Sequence, residues 1–115
     1  MTTPVGPYTP VVRAGDWLVV SGQIGLRDGK LVSGDTVDQL KQAIDNLRGL
    51  LAQHGASLEH VVKTTVFLRH MSDYPRMNEA YMDAFGDHRP ARSAIGIAEL
   101  PLNALVEIEA WAYTG

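Results

Sequence analysis

The sequence predicts an α+β fold in which one mixed β-sheet carries two helices on a single face. Two stretches repeat apolar residues at helical spacing, and five shorter stretches have the composition and alternation of strands. In chain order these elements read β-β-α-β-α-β-β. A chain of 115 residues has the length of one domain, so we expect residues 1–115 to form a single domain.

Composition and charge narrow the function classes. The chain has no cysteine, which leaves no disulfide framework and no thiolate metal site, and the four histidines show no metal-ligand spacing. Residues 1–4 show neither the basic start nor the apolar run of a signal peptide, and no apolar stretch could span a membrane. We therefore expect a cytoplasmic protein. The net charge of −3 speaks against a nucleic-acid partner, whose phosphates favour a basic face.

The N-terminal part of the chain predicts a β-hairpin. Tyr8 lies between two prolines, a stiff setting that either presents a phenol or anchors this segment to the body. Val11–Ala14 and Trp17–Gln23 read as strands joined by a Gly-Asp turn, and a second turn follows at residues 27–30. Ser21 and Gly22 interrupt the second strand. A glycine inside a strand often marks a bulge or the close approach of a ligand or another backbone.

The first helix is predicted from a capping signal and an apolar stripe. Thr36 and Gln39 have capping-box spacing, with Thr36 as the N-cap residue. The apolar stripe that follows consists of Val37, Leu40, Ile44, Leu47, Leu50 and Leu51. Gly55 provides the stop signal. We interpret the stripe as the core face of an amphipathic helix.

A strand and a second helix follow the first helix. Val61–Leu68 is rich in β-branched residues and reads as a strand with Val62 on its core face. Ser72 or Asp73 caps the second helix, which runs to Phe85, and Met77, Tyr81 and Phe85 share its core side. On helical geometry alone, Asn78 is interpreted as a solvated residue rather than a ligand.

The next strand, residues 90–97, carries an arginine among small neighbours. Alternation places Arg92, Ala94 and Gly96 on one face of this strand and the isoleucines on the other, which we expect to be core. The small neighbours leave a hollow beside the guanidinium, whose planar fork matches a carboxylate. Arg92 is therefore a candidate anion clamp. The alternative is an ordinary arginine that forms a salt bridge across the sheet.

The last strand, Leu105–Tyr113, alternates apolar residues with a second set that points to the opposite face. Two helices cannot cover both faces of a sheet, so one face is expected to lie open. The residues predicted on that open face are Lys63, Arg92, Glu107, Glu109 and Trp111. Because apolar surface of this kind is unfavourable in water, we expect a partner subunit to cover it.

Arg92 and Glu107 could form a hydrolytic pair. The short turn at residues 100–103 suggests that their strands are neighbours, which would place the two side chains near each other. An arginine that holds an anion and a carboxylate that orients or deprotonates water would then act together. Glu109, two residues along the strand, is interpreted as a structural partner for Lys63 or Arg92.

Six motifs in fixed order resemble one family. They are Gly6-Pro7-Tyr8, Ser21-Gly22-Gln23-Ile24, Val61–Leu68, Asn78-Glu79-Ala80-Tyr81, Pro90-Ala91-Arg92-Ser93 and Val106-Glu107-Ile108-Glu109-Ala110. Together they resemble the reactive-intermediate deaminase family (Rid, formerly the YjgF family), from Gly6 to Ala112.

The resemblance implies a fold and an activity. It implies a chorismate-mutase-like subunit, assembly as a homotrimer with sites at the subunit interfaces, and no metal or organic cofactor. It also implies hydrolysis of enamines and imines, such as 2-aminoacrylate and 2-iminopropanoate, to 2-oxo acids and ammonia.

The resemblance also assigns residue roles. Arg92 would grip the substrate carboxylate, Glu107 would position the attacking water, and the backbone carbonyl of Ala94 would help to hold water. The residues that match other pocket positions are Tyr8, Ser21, Gly22 and Asn78.

The chain departs from the family pattern at three positions. Ala94 stands where many members have cysteine, Gly96 where archetypal members have glutamate, and Thr9 where serine is frequent. These changes suggest a wider pocket and leave the preferred imine open. Other members are described as endoribonucleases or translation inhibitors, as chaperone-like holdases, or could serve as small-ligand binders. The acidic pI of about 5.7 makes RNA an unfavourable partner.

Overall fold

The computed structural model describes residues 4–115, which form one five-stranded sheet, a small hairpin and two helices. In chain order the elements are β1 (Val11–Ala14), β2 (Trp17–Gln23), β3 (Leu26–Arg27), β4 (Lys30–Leu31), α1 (Thr36–Ala52), β5 (Val61–Leu68), α2 (Tyr74–Phe85), β6 (Ala91–Gly96) and β7 (Val106–Tyr113). The predicted α+β fold is confirmed. The β3–β4 hairpin, which the sequence indicated only as a turn, is an addition.

The order of strands across the sheet is β1-β2-β7-β5-β6. All neighbouring strands are antiparallel except β5 and β6, which are parallel. Because β5 lies between β6 and β7, the prediction that the last two strands are neighbours is wrong. The connection at residues 97–105 passes one end of β5. It needs to span only two strand spacings, about 10 Å, so a short connection does not require a hairpin.

The core lies between one face of the sheet and the two helices. The leucine stripe of α1 is buried as predicted, apart from Val37, which is only partly buried. The large, fully buried side chains include Leu18, Leu40, Ile44, Leu47, Leu51, Val66, Leu68, Met77, Val106 and Ile108. Within residues 4–115, neither helix combines the length and apolar character needed to cross a membrane.

The N-cap of α1 lies one residue before the predicted cap, Thr36. Asp35 is the N-cap: its Oδ1 accepts hydrogen bonds from the backbone N–H groups of Val37 (3.0 Å) and Asp38 (3.3 Å). The Asp38 side chain closes the capping box on the Asp35 N–H. A hydrogen bond from Arg76, on α2, is the main cause that lowers the pKa of Asp35 to about 2. The charged carboxylate also complements the helix dipole, which explains why Asp35 displaces the neighbouring Thr36 as cap.

Two strands place their side chains differently from the prediction. A bulge near the start of β5 exposes Val62 and buries Val61 instead. In β6, Arg92 and Ala94 lie on the helix side of the sheet and are half-buried, whereas Ile95 is 43% exposed. The expectation that the isoleucine face of β6 is core is therefore wrong. Because β6 is an edge strand, the helices cover it only in part. The guanidinium of Arg92 lies against α2 on this partly covered face.

The face of the sheet opposite the helices is open, as predicted. The large apolar residues exposed on it include Val12, Trp17, Ile95, Trp111 and Tyr113, each between 37% and 49% exposed. Trp17 contacts Trp111 edge-on and Tyr113 at a tilt, with ring centroids 6.3 and 5.0 Å apart. The Lys63 ammonium donates to Ser93 Oγ (2.8 Å) on the same face. Arg92 is not part of this surface.

Candidate active site: two half-sites on opposite faces of the sheet

An open hollow lies where the irregular N-terminal segment passes β2 and the start of β7. Its volume is about 220 Å³. The lining residues are Val5, Tyr8, Ser21, Gly22, Ile24, Pro101 and Glu107. The structure thus brings together four of the predicted site residues, Tyr8, Ser21, Gly22 and Glu107. We call this hollow the glutamate half-site.

A bulge in β2 shapes the floor of the glutamate half-site. The pairing of β2 with β7 shifts between Val20 and Gln23, which leaves Ser21 and Gly22 outside the regular ladder. The Ser21 hydroxyl donates to the Thr9 carbonyl (2.7 Å), and its N–H donates to the Pro10 carbonyl (2.8 Å). Both bonds tie the segment that carries Tyr8 to the sheet. Ser21 therefore fixes one wall of the hollow.

Gly22 allows the Glu107 carboxylate to lie against the β2 backbone. A Cβ atom built on Gly22 would lie 2.5 Å from Oε2 and 2.6 Å from Cδ of Glu107. These separations are much shorter than ordinary contact. A side chain at position 22 would push the carboxylate out of its present position. The glycine marks the predicted bulge, and the group that approaches it closely is a side chain rather than a ligand or another backbone.

The Glu107 carboxyl lies in a setting that favours its protonated form. Partial burial, and then the negative charge of Glu109, raises the pKa of Glu107. In the described part of the chain, no cation lies within ion-pair distance of this carboxylate. A carboxyl group with a raised pKa is a stronger base when it is charged, which suits it to accept and return protons.

Arg92 lies on the other face of the sheet, against α2. Its Nη2 donates to the Tyr74 hydroxyl (3.0 Å), and Nη1 lies 3.8 Å from the Met77 sulfur. The guanidinium carbon is 4.9 Å from the centre of the Tyr81 ring and 5.5 Å from that of Tyr74. Two aromatic faces thus support the cation, and this contact stabilises a positive charge without neutralising it.

No carboxylate within residues 4–115 forms a salt bridge with Arg92. The predicted alternative, a salt bridge across the sheet, is therefore absent from the described chain. Asn78, one residue beyond Met77 on α2, has a buried Oδ1 with no hydrogen-bond partner in this part of the chain, so it is not the solvated residue expected from helical geometry. A buried acceptor without a hydrogen bond is destabilising, and a cation without a counter-charge can bind an anion. We call this region the arginine half-site.

The small residues of β6 border the arginine half-site. Ala94 is half-buried and packs against the core. The space next to Gly96 is filled, because a Cβ atom there would lie 2.6 Å from Cγ of Met71. The widening expected from glycine at this position is therefore occupied by the Met71 side chain, which is itself 47% exposed.

One chain does not bring the two half-sites together. Arg92 pairs in register with Thr64, which is buried under the helices, whereas Glu107 pairs with Phe67 on the open face. The predicted proximity of Arg92 and Glu107 within the subunit is therefore wrong. Tyr74 is a neighbour of Arg92 that was not predicted from the sequence. Its spacing on α2, three residues before Met77, was the available signal.

Comparisons with known proteins place the chain in a family. The family model described as Endoribonuclease L-PSP matches residues 1–114. A RutC family protein of Pyrococcus horikoshii is 43% identical over 112 residues, which cover 96% of this chain and 89% of that protein. The human 2-iminobutanoate/2-iminopropanoate deaminase is 40% identical over 113 residues, covering 96% and 82%.

Solved structures agree with this assignment. The structure of Escherichia coli TdcF with bound serine superposes with a TM-score of 0.92 at 32% identity, covering 97% of this chain and 91% of TdcF. The family match, the identities and the shared fold give one conclusion: the chain belongs to the reactive-intermediate deaminase (YjgF) family, as the six sequence motifs predicted.

Proposed function

We propose that the chain hydrolyses reactive enamines and imines of the 2-aminoacrylate and 2-iminopropanoate type to 2-oxo acids and ammonia. The observation that carries this proposal is the half-buried Arg92 guanidinium, which no carboxylate of the described chain neutralises. A substrate carboxylate would fill that role. The deaminase name of relatives that are about 40% identical supports the same reaction class.

The complete site would form between subunits of a homotrimer. The arginine half-site lies on the edge strand β6, and the glutamate half-site opens on the far side of the sheet. A neighbouring copy can bring its glutamate half-site to this edge, whereas the same chain cannot. The exposed Trp17, Trp111 and Tyr113 supply apolar surface for such an interface. Each trimer would then contain three equivalent sites.

The chemistry needs little more than position. In the proposed pose, Arg92 binds the carboxylate with both arms of its fork, and Glu107 of the neighbouring copy orients a water molecule at the imine carbon. The water oxygen bonds to that carbon while one water proton passes to Glu107, which returns it to the nitrogen and so gives a carbinolamine. Glu107 then takes the remaining hydroxyl proton and passes it to the same nitrogen, so that the C–N bond breaks, ammonia leaves and the carbonyl of the 2-oxo acid forms.

The remaining predicted residues would complete the pocket. We propose that Tyr8 and the backbone of Gly22 bound the substrate from the glutamate side. Asn78, whose Oδ1 has no partner within residues 4–115, would accept a hydrogen bond from the imine N–H, and the Ala94 carbonyl would hold water. No metal or organic cofactor is required, because an iminium carbon is already electrophilic.

The direct test uses freshly generated 2-iminopropanoate and measures ammonia and pyruvate. We expect wild-type protein to accelerate hydrolysis and Arg92→Ala to remove the acceleration while the oligomer, measured by light scattering, persists. Wild-type protein that gives no acceleration over buffer would refute the proposed activity. Loss of the oligomer in Arg92→Ala would instead make Arg92 an interface residue.

A second candidate is a non-catalytic binder of small carboxylates. TdcF was solved with bound serine, and the same unneutralised guanidinium would hold such a ligand without reaction. Calorimetric titration with serine and pyruvate, alongside the hydrolysis assay, separates the two. Binding without turnover would favour this candidate. The endoribonuclease description of the family model has less support here, because the net charge is −3.

A further inference from the structure

The beginning of α2 is held firmly against the beginning of α1. The Thr36 hydroxyl donates to Asp73 Oδ2 (2.6 Å), and the Arg76 guanidinium forms an ion pair with Asp35. Tyr74 lies between these two contacts, at the first residue of α2. Its backbone is therefore fixed on both sides, and its half-buried side chain extends from a rigid point toward Arg92.

Two tyrosines contact the Arg92 guanidinium, but their hydroxyls differ. The Tyr81 hydroxyl forms a hydrogen bond with Thr64 Oγ1 (2.8 Å) in the core, so its ring alone supports the cation. The Tyr74 hydroxyl faces the guanidinium directly and accepts a hydrogen bond from Nη2 (3.0 Å). The two residues thus support Arg92 in different ways, Tyr81 by its ring face alone and Tyr74 by its ring and its oxygen.

The Tyr74 hydroxyl still has a proton to donate. A phenol can accept and donate at the same time, and within residues 4–115 the oxygen of Tyr74 has no hydrogen-bonded acceptor. Accepting from a cation polarises the O–H bond and makes it a stronger donor. The donor lies within hydrogen-bond distance of the guanidinium that is expected to hold the substrate anion. An oxygen bound by Arg92 would therefore lie within its reach.

We infer that Tyr74 is a substrate-binding residue that donates its hydroxyl proton to the carboxylate held by Arg92. This inference rests on the proposed function, since it assumes that Arg92 binds a carboxylate. The Tyr74 hydroxyl would be a neutral donor next to the charged guanidinium of Arg92. The carboxylate would receive N–H bonds from Arg92 and an O–H bond from Tyr74, which would fix its rotation about the axis of the fork.

The first test replaces Tyr74 with phenylalanine and measures pyruvate binding by calorimetry. Tyr74→Phe keeps the ring over the guanidinium and removes only the hydroxyl. We expect about tenfold weaker pyruvate binding and a similar rise in KM for 2-iminopropanoate, which corresponds to one hydrogen bond to a charged group. Ser72→Ala, which removes an exposed hydroxyl two residues before Tyr74, is the matched control and should bind pyruvate as wild type does.

The second test separates donation from mere support of Arg92. Replacing Tyr74 with a ring-fluorinated tyrosine makes the hydroxyl a stronger donor and a weaker acceptor. At a pH at which the phenol stays protonated, we expect pyruvate to bind more tightly than in wild type. Weaker or unchanged binding would overturn the inference, because it would mean that the hydroxyl serves only as an acceptor for Arg92.

The outcomes distinguish this inference from the proposed function. If Tyr74→Phe binds pyruvate as wild type does while Arg92→Ala loses binding, the role of Tyr74 is wrong and the anion clamp stands. If Arg92→Ala also binds pyruvate normally, the proposed function fails and the inference fails with it. Should Tyr74→Phe lose its cooperative thermal unfolding, the fluorinated protein, which keeps the hydroxyl, still decides the question.

Discussion

Substituting Gly22 with alanine tests whether catalysis depends on the position of the Glu107 carboxylate. The backbone at Gly22 lies outside the left-handed region, so alanine introduces no backbone strain. The only direct effect is a methyl group 2.5 Å from Oε2 of Glu107. Ordinary contacts begin near 3.4 Å, so the carboxylate must retreat by about 1 Å.

A displacement of this size has a large expected effect on rate and a small one on stability. Misplacing a catalytic group by about 1 Å can cost about 100-fold, and we expect kcat/KM for 2-iminopropanoate to fall by roughly that factor. Overpacking costs about 1–3 kcal/mol, and the half-buried Glu107 side chain can yield, so the loss of folding free energy should lie near 1 kcal/mol. Thermal unfolding and light scattering check the second expectation.

The controls isolate the contact between the new methyl group and Glu107. Gly49→Ala places a methyl on the exposed side of α1 with no atom within 4 Å. It should keep full activity and stabilise the helix by about 0.5–1 kcal/mol. In a Glu107→Ala background, Gly22→Ala should lower the rate no further, because its target is gone. Near wild-type activity of Gly22→Ala in the intact protein would refute the reasoning and leave Glu107 without a position-dependent role.

Three further predictions concern the charged groups of the two half-sites, and a fourth concerns metal ions. Glu107→Gln should lower turnover more than it weakens pyruvate binding, and equal losses would indicate a structural role. Because the pKa of Glu107 is raised and its charged form acts on water, kcat/KM should fall on acidification at a higher pH than an ordinary glutamate would give. Glu109→Gln should move this acidic limb of the pH profile to lower pH. An unchanged limb would mean that the charge of Glu109 does not raise the pKa of Glu107. Arg92→Lys should lose about ten- to a hundredfold in kcat/KM at constant oligomer size, because lysine lacks the planar fork; near wild-type rates would exclude the clamp. Chelation with EDTA should leave hydrolysis intact, and a loss restored by zinc would contradict a cofactor-free reaction.

The sequence by itself determined the seven main elements of the fold and the family, but not the β3–β4 hairpin. The leucine stripe of α1, the hairpin of β1 and β2 and the alternation of β7 are local patterns, and burial of one face follows directly from their periods. The glycine in β2 also carried real information, because only a residue without Cβ permits the approach of Glu107. Such signals depend on residues that are near in sequence or on a steric demand at one position.

The tertiary structure alone decided how the site residues are grouped. Which strand pairs with β6, and therefore which face Arg92 occupies, depends on a connection whose length permits either neighbour. The alternation within β6 indicated two faces, but not which one meets α2. On the side of the sheet that meets α2, the rings of Tyr74 and Tyr81 stabilise the guanidinium of Arg92.

The division of the site into two half-sites has the same physical origin. Side chains at the Arg92 and Glu107 positions point to opposite faces because each strand keeps the period of two, while strand order and register are set by packing across the whole sheet. The spacing of residues in the sequence shows the two-residue period of each strand but not the order of the strands in the sheet. The local chemistry of each residue could therefore be assigned from the sequence. The order of the strands in the folded sheet decides which of these residues can meet within one chain.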